Sequence, residues 1–144
     1  MTPTAPELLA GCAAALSAVP SAEDAGLFTA TRLRTVATID ILVAQECATG
    51  SAVRVWENGA LRSLFVGAAA KYGAAYAQAG SIDDGDLSLA ALDGANAKLR
   101  RLLIRLHEAV EAASDQKLDR TILALYREMA RRREFKLPGE KPAT

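Results

Sequence analysis

The chain has 144 residues, of which 51% are hydrophobic and 24% charged, and its 17 Lys+Arg balance 17 Asp+Glu to a formal net charge of zero. That balance excludes a wholly basic nucleic-acid protein and an acidic tail, and the apolar content excludes a disordered chain. A length within the usual ~100–150 residues of one domain predicts a single domain over residues 1–144, with short flexible ends at about 1–5 and 137–144.

Thirty-one alanines and nineteen leucines dominate the sequence, and both lose little side-chain freedom in a helix. Every proline lies near an end, at Pro3, Pro6, Pro20, Pro138 and Pro142. Long helices are therefore permitted between them, because nothing there removes a helix hydrogen bond. The apolar stretch Leu8–Val19 lacks the basic start of a secretory signal, and no apolar run reaches the ~18–20 residues of a membrane span. A cytoplasmic chain without a membrane role is the expectation. Cys12 and Cys47 have neither zinc nor redox spacing and read as free, buried thiols.

Residues 5–18 read as a short Ala/Leu helix ended by Pro20. Ser21 with Asp24 three positions on resembles a capping box that opens a second helix. Along 22–48, Leu33, Val36, Ala37, Val43, Ala44 and Cys47 share one face at helical spacing, and Thr49-Gly50 supplies a stop. Residues 51–59 carry a conflict. Val53 and Val55 alternate with polar neighbours before Asn58-Gly59, which is a hairpin signal. The helical spacing of Leu61, Leu64, Phe65, Ala68, Tyr72 and Tyr76 that follows favours a third long helix ending at Gly80.

Ser81–Asp86 reads as a turn whose acids precede the next helix, and its three aspartates fall short of the ligand set of a calcium loop. The most regular signal comes next. Leu89, Leu92, Asn96, Leu99, Leu103, Leu106, Val110 and Ala113 alternate three and four apart, so one helix carries a seam that must be buried. Either the chain's own bundle or a second copy can cover it; Leu102 and Ala109 widen the stripe and favour the bundle, while Leu92, Asn96, Leu99, Leu103 and Leu106 are the candidate interface if a second copy does. Ser114-Asp115 breaks the pattern and caps a last helix through Leu118, Ile122, Leu125 and Met129. The fold expected is all-α: an antiparallel bundle of four long helices plus a short N-terminal one.

The single histidine, His107, excludes a histidine-based di-metal centre and the two-histidine zinc motif, and with Glu111 one turn on it reads as a surface pair. No dinucleotide, Walker, nucleophile-elbow or Cys/His metal motif is present, so no catalytic residue, metal or cofactor is nominated. Asp40, central in an apolar stripe, needs a partner such as Arg32, Arg62, Tyr72 or Tyr76, and with Phe65, Tyr72 and Tyr76 it outlines a candidate small-molecule pocket. Arg127, Arg131, Arg132 and Arg133 form the one candidate anion or nucleic-acid patch, interleaved with Glu128 and Glu134.

Leu33-Arg-Thr-Val-Ala-Thr-Ile-Asp-Ile-Leu-Val-Ala-Gln-Glu46 and Asn96-Ala-Lys-Leu-Arg-Arg-Leu-Leu-Ile-Arg-Leu-His-Glu-Ala-Val-Glu111 resemble segments of small uncharacterised bacterial helical proteins found beside acyl-CoA dehydrogenase and aminoglycoside-phosphotransferase-like enzymes. The resemblance implies an accessory protein with an enzyme partner of acyl-group metabolism and carries no catalytic residues. Taken together, the residues point to a non-enzymatic, homo-oligomeric interaction protein. A small-molecule-binding bundle is the alternative, and a nucleic-acid-binding regulator acting through the basic C-terminal helix is a further one, against which the whole-chain charge balance counts.

Overall fold

The computed structural model describes residues 5–18 and 26–136, and these form five helices and no strand. They are α1 (Ala5–Ser17), α2 (Leu27–Tyr72), α3 (Ala74–Ser81), α4 (Leu89–Ala112) and α5 (Gln116–Arg132). The chain divides into two compact units, residues 1–50 with 135–144, and residues 51–134. The expected cap at Ser21 and, Ala5 apart, the ends at 1–5 and 137–144 lie outside the described residues.

Three of the helices are long, not four. The second and third helices expected from the sequence are one 46-residue helix, α2, which runs through Gly50 without a stop. A glycine inside a helix costs about 1 kcal/mol, too little to end one whose turns on both sides continue. Residues 51–59 are accordingly helix and not hairpin. The break falls instead at Gly73, whose φ of +114° and ψ of 160° are open only to glycine, and the short α3 begins there.

In the unit 51–134, contacts give the path of the chain. Arg54 meets Asp93, Glu57 meets Arg100 and Lys71 meets Asp115, so α2 and α4 run side by side in the same direction. The link between them turns back at Gly73, placing the Tyr76 ring 5.8 Å from that of Phe65 and Asp84 beside Arg62. Helix α5 reverses against α4, with Asp119 beside His107 at one end and Arg133 beside Asn96 at the other. The turn between them places Ser114 at φ 51°. Asp115 then caps α5 by accepting from Leu118 N at 3.2 Å.

The core of this unit is Leu61, Phe65, Ala68, Tyr76, Leu99, Leu103, Leu106, Val110 and Ile122. Each fully buried leucine there contributes about 2 kcal/mol. The α4 seam is thus closed by its own chain: Leu92, Asn96, Leu99, Leu103 and Leu106 are all buried. They are not available as an interface, which corrects that expectation.

In the other unit the buried side chains among the described residues are small, Ala13, Ala30 and Ala37. Val36 and Val43, expected to face inward with Ala37, are exposed. The Gln45 side-chain amide donates to Lys136 O at 2.8 Å and accepts from Lys136 N at 2.9 Å. Both cysteines are exposed and free rather than buried.

Candidate functional surfaces and the buried ion network

Three features of the molecule have chemistry to offer. The first is a polar cluster at one end of the 51–134 core. Glu57 and Asn58 are both 0% exposed and Asn96 is 4% exposed, burial that would be prohibitive without partners. Glu57 Oε1 accepts from Asn96 Nδ2 at 2.9 Å and Arg100 Nε at 2.6 Å, and Oε2 accepts from Arg133 Nε at 2.7 Å. Asn96 Nδ2 also donates to Asn58 Oδ1 at 2.9 Å, and Asn96 Oδ1 accepts from Arg133 at 3.1 Å. Burial opposes ionisation of Glu57, but the bonds from Arg133, Asn96 and Arg100 together outweigh it and hold the carboxyl below the usual range.

Asn58 Nδ2 continues the cluster to Asp84, which takes a two-pronged ion pair from Arg62 at 2.6 and 2.8 Å. Those bonds hold Asp84 below the usual carboxylate range despite burial. Arg62 Nε is buried without an acceptor, while both terminal nitrogens are committed to Asp84. The Glu57, Asn58 and Asn96 part of the cluster is fully committed to internal bonds, while its Arg62–Asp84 end lines a cleft. Sequence reasoning passed over Glu57 and Asn58 because Glu-Asn-Gly reads locally as a turn.

The second feature is a cleft of about 720 Å³ in the same unit. One wall is Ala79 of α3 with the loop Ile82–Asp86; the other is the face of α4 that carries Ala91, Ala95, Lys98, Arg101, Leu102 and Arg105. The loop acids are engaged beyond Asp84: Asp83 accepts from Asp84 N at 2.9 Å and Asp86 from Ser88 N at 2.8 Å. These bonds give the aspartates a structural use in place of calcium.

The third feature is a bare stripe on α2 in the first unit. Phe28, Val36, Ile39 and Val43 are 75%, 45%, 51% and 42% exposed. Phe28, Thr31, Arg32, Thr35 and Val36 line a shallow groove of about 230 Å³ along it. The hydroxyls of Thr31, Thr35 and Thr38 bond to carbonyls one turn back, at 2.8, 3.0 and 2.9 Å, so the stripe shows methyl groups rather than free donors.

The sequence-derived sites fare differently. Asp40 is half-buried and has no hydrogen-bond or ion-pair partner among the described residues. The pocket expected around Asp40, Phe65, Tyr72 and Tyr76 is not formed: Phe65 and Tyr76 stack in the core of the unit 51–134, and Tyr72 donates to Asp115 at 3.0 Å. Of the basic patch, Arg131 and Arg132 pair with Glu128, each at 2.6 Å, and hold it down to about 2. Arg132 also stacks 4.0 Å from the centre of the Trp56 ring, and Arg133 turns inward to Glu57. Arg127 alone is uncommitted, and the other three arginines of the patch are each paired with a glutamate.

His107 is half-buried rather than a simple surface pair, with Nε2 3.0 Å from Asp119 and 3.8 Å from Glu111 and its ring 5.6 Å from that of Tyr126. These three groups, whose ligand atoms lie within 4.8 Å of one another, are the residues best placed to hold a metal among those described. Their geometry is equally that of a hydrogen-bonded ion cluster linking α4 to α5.

No protein-family model, curated protein or solved structure matches this chain.

Proposed function

We propose that this chain is a homodimeric interaction protein whose α2 stripe pairs antiparallel with the same stripe of a second copy. The observation that carries the reading is the bare row itself. Exposed Phe28, Arg32, Thr35 and Ile39 and half-buried Leu42 and Glu46 alternate four and three apart, the spacing of a two-helix seam, with exposed Val36 and Val43 on its flank. The row is self-complementary. An antiparallel pair with its two-fold axis at Ile39 sets Val36 opposite Leu42 of the partner and Thr35 opposite Val43, so apolar groups meet on both sides of the axis.

A bilayer is the competing cover, since α2 is long enough to span one and its most apolar window has a mean hydropathy of 1.2 with 11% of it buried. Asp40 and Glu46, which fall within that window, argue for protein, because each charged side chain near the centre of a bilayer costs about 3 kcal/mol.

Sedimentation velocity tests the proposal. The wild type is expected at twice 15.1 kDa and Ile39→Asp at the monomer mass. A wild type that stays monomeric at every concentration, an Ile39→Asp dimer, or flotation with neutral liposomes overturns it.

A further inference from the structure

The cleft of the 51–134 unit has a use that the dimer does not explain. We propose that it binds a small amphiphilic anion, with an apolar body against Ala91, Ala95, Leu102 and Ile82 and an acidic head held by Lys98, Arg101 and Arg105. Its volume, about 720 Å³, lies within the range of sites that enclose small organic ligands. Ile82 is 59% exposed on its rim, an apolar side chain that a ligand body would cover.

The sign of the head group follows from the charged lining, in which Arg62, Lys98, Arg101 and Arg105 outnumber Asp83, Asp84 and Asp86, and from how each group is committed. Asp84 is neutralised by Arg62, while Asp83 and Asp86 each accept a backbone N–H. Lys98, Arg101 and Arg105 are exposed, and no hydrogen bond or ion pair engages them among the described residues. The two sets are also separated. Asn58 bridges Asp84 and Leu92 O, which places the acidic loop at the first turn of α4. Arg101 and Arg105 lie nine and thirteen residues beyond Leu92, roughly 14 and 20 Å along the helix. Lys98, six residues beyond Leu92, is nearer at roughly 9 Å, so Arg101 and Arg105 are the cations well clear of the ~8 Å screening length at physiological salt and present their own field to a ligand. Spacing of three and four residues puts the three cations in one row over the apolar floor, where guanidinium groups can fork onto a carboxylate, sulfonate or phosphate.

Isothermal titration with three probes sharing one tail, all below their micelle concentrations, tests the assignment: decanoate, decanesulfonate and decyltrimethylammonium. Both anions are expected to bind one per chain, the cation about tenfold or more weakly, and the anion affinity to fall as salt rises. Replacing Lys98, Arg101 and Arg105 together by Ser is expected to cut anion affinity about tenfold or more with helical circular dichroism unchanged. A second variant fills the space. A Cβ at Gly94 on the cleft wall meets nothing within 4 Å, so Gly94→Leu is expected to fold at least as stably and to abolish binding. Equal binding of anion and cation, full affinity in either variant, or association with phosphatidylglycerol vesicles but not with decanoate monomers overturns the proposal.

Discussion

Arg133 and Glu57 are 76 residues apart in sequence, yet their side chains meet at 2.7 Å at the end of the core. Glu57 is fully enclosed while Arg133 keeps 31% of its side chain in solvent, so the pair is asymmetric: the carboxylate depends on the guanidinium more than the reverse. Glu57→Ala leaves Arg133, Arg100 and Asn96 without their common acceptor and is expected to lose about 3–5 kcal/mol in urea unfolding. Arg100→Ala takes one charged donor from the fully enclosed carboxylate while Arg133 and Asn96 remain, and is expected to lose about 1–3 kcal/mol.

The pH dependence of stability has a defined acid limb. Hydrogen bonds from Lys71, Leu118 N and Tyr72 hold Asp115 down to about 2 from an ordinary 3.8. A carboxyl whose folded value is depressed binds fewer protons folded than unfolded, so its stabilisation is complete above pH 3.8 and is lost as pH falls toward about 2. Thermal unfolding of Asp115→Asn is therefore expected to be flatter than that of the wild type between those values. The cap at Leu118 N survives in the variant, because the amide oxygen still accepts.

Two glycines of one region are expected to respond in opposite directions. Gly67 lies inside α2, and a Cβ there meets nothing within 4 Å. Gly67→Ala should raise stability by about 0.5–1 kcal/mol. Gly73 is equally unobstructed but sits at φ +114°, and Gly73→Ala should lower stability by about 1–3 kcal/mol through backbone strain alone. Differential scanning calorimetry of the two variants separates space from dihedral angle as the cause.

Closure of the α4 seam inside the chain can be separated from self-association by a pair of truncations. Leu106, 0% exposed, should lose about 2–5 kcal/mol on replacement by Ala, and Ile104, 54% exposed, under about 0.5. Sedimentation of Leu106→Ala under conditions where it remains folded should give the wild-type mass, since that leucine touches only its own chain's core.

Much of the helical content was legible because it is written locally. The strict three-four spacing from Leu92 to Val110 marked a buried face, and Asp115 marked a cap; both need only a few neighbouring residues to be read. Gly50 reads as a stop, yet the helix runs through it and breaks at Gly73. Composition treats them alike, whereas the backbone angle that distinguishes them depends on where the chain must turn. Asp40 and Tyr72 were joined on the argument that a buried acid needs a partner, but Asp40 is only half-buried and Tyr72 is used by Asp115. The Glu57 cluster had no local signature, since its partners Asn96, Arg100 and Arg133 come from distant turns. The same holds for the cleft, because the bare cations of α4 become a site only when the loop Ile82–Asp86 faces them.

The distance in sequence between Glu57 and Arg133 also sets the order of events during synthesis. As the chain leaves the ribosome, α2, α3 and α4 emerge first, and Arg100 arrives before Arg133, so the Glu57 carboxylate is half answered until the last turn of α5 is complete. A translation product that stops short of Arg133 would have to bury Glu57 Oε2 without its partner or leave that end of the core open to proteases. The ion network therefore acts as a check on completeness, in which a residue at the far end of the domain decides whether the first long helix can close its interior.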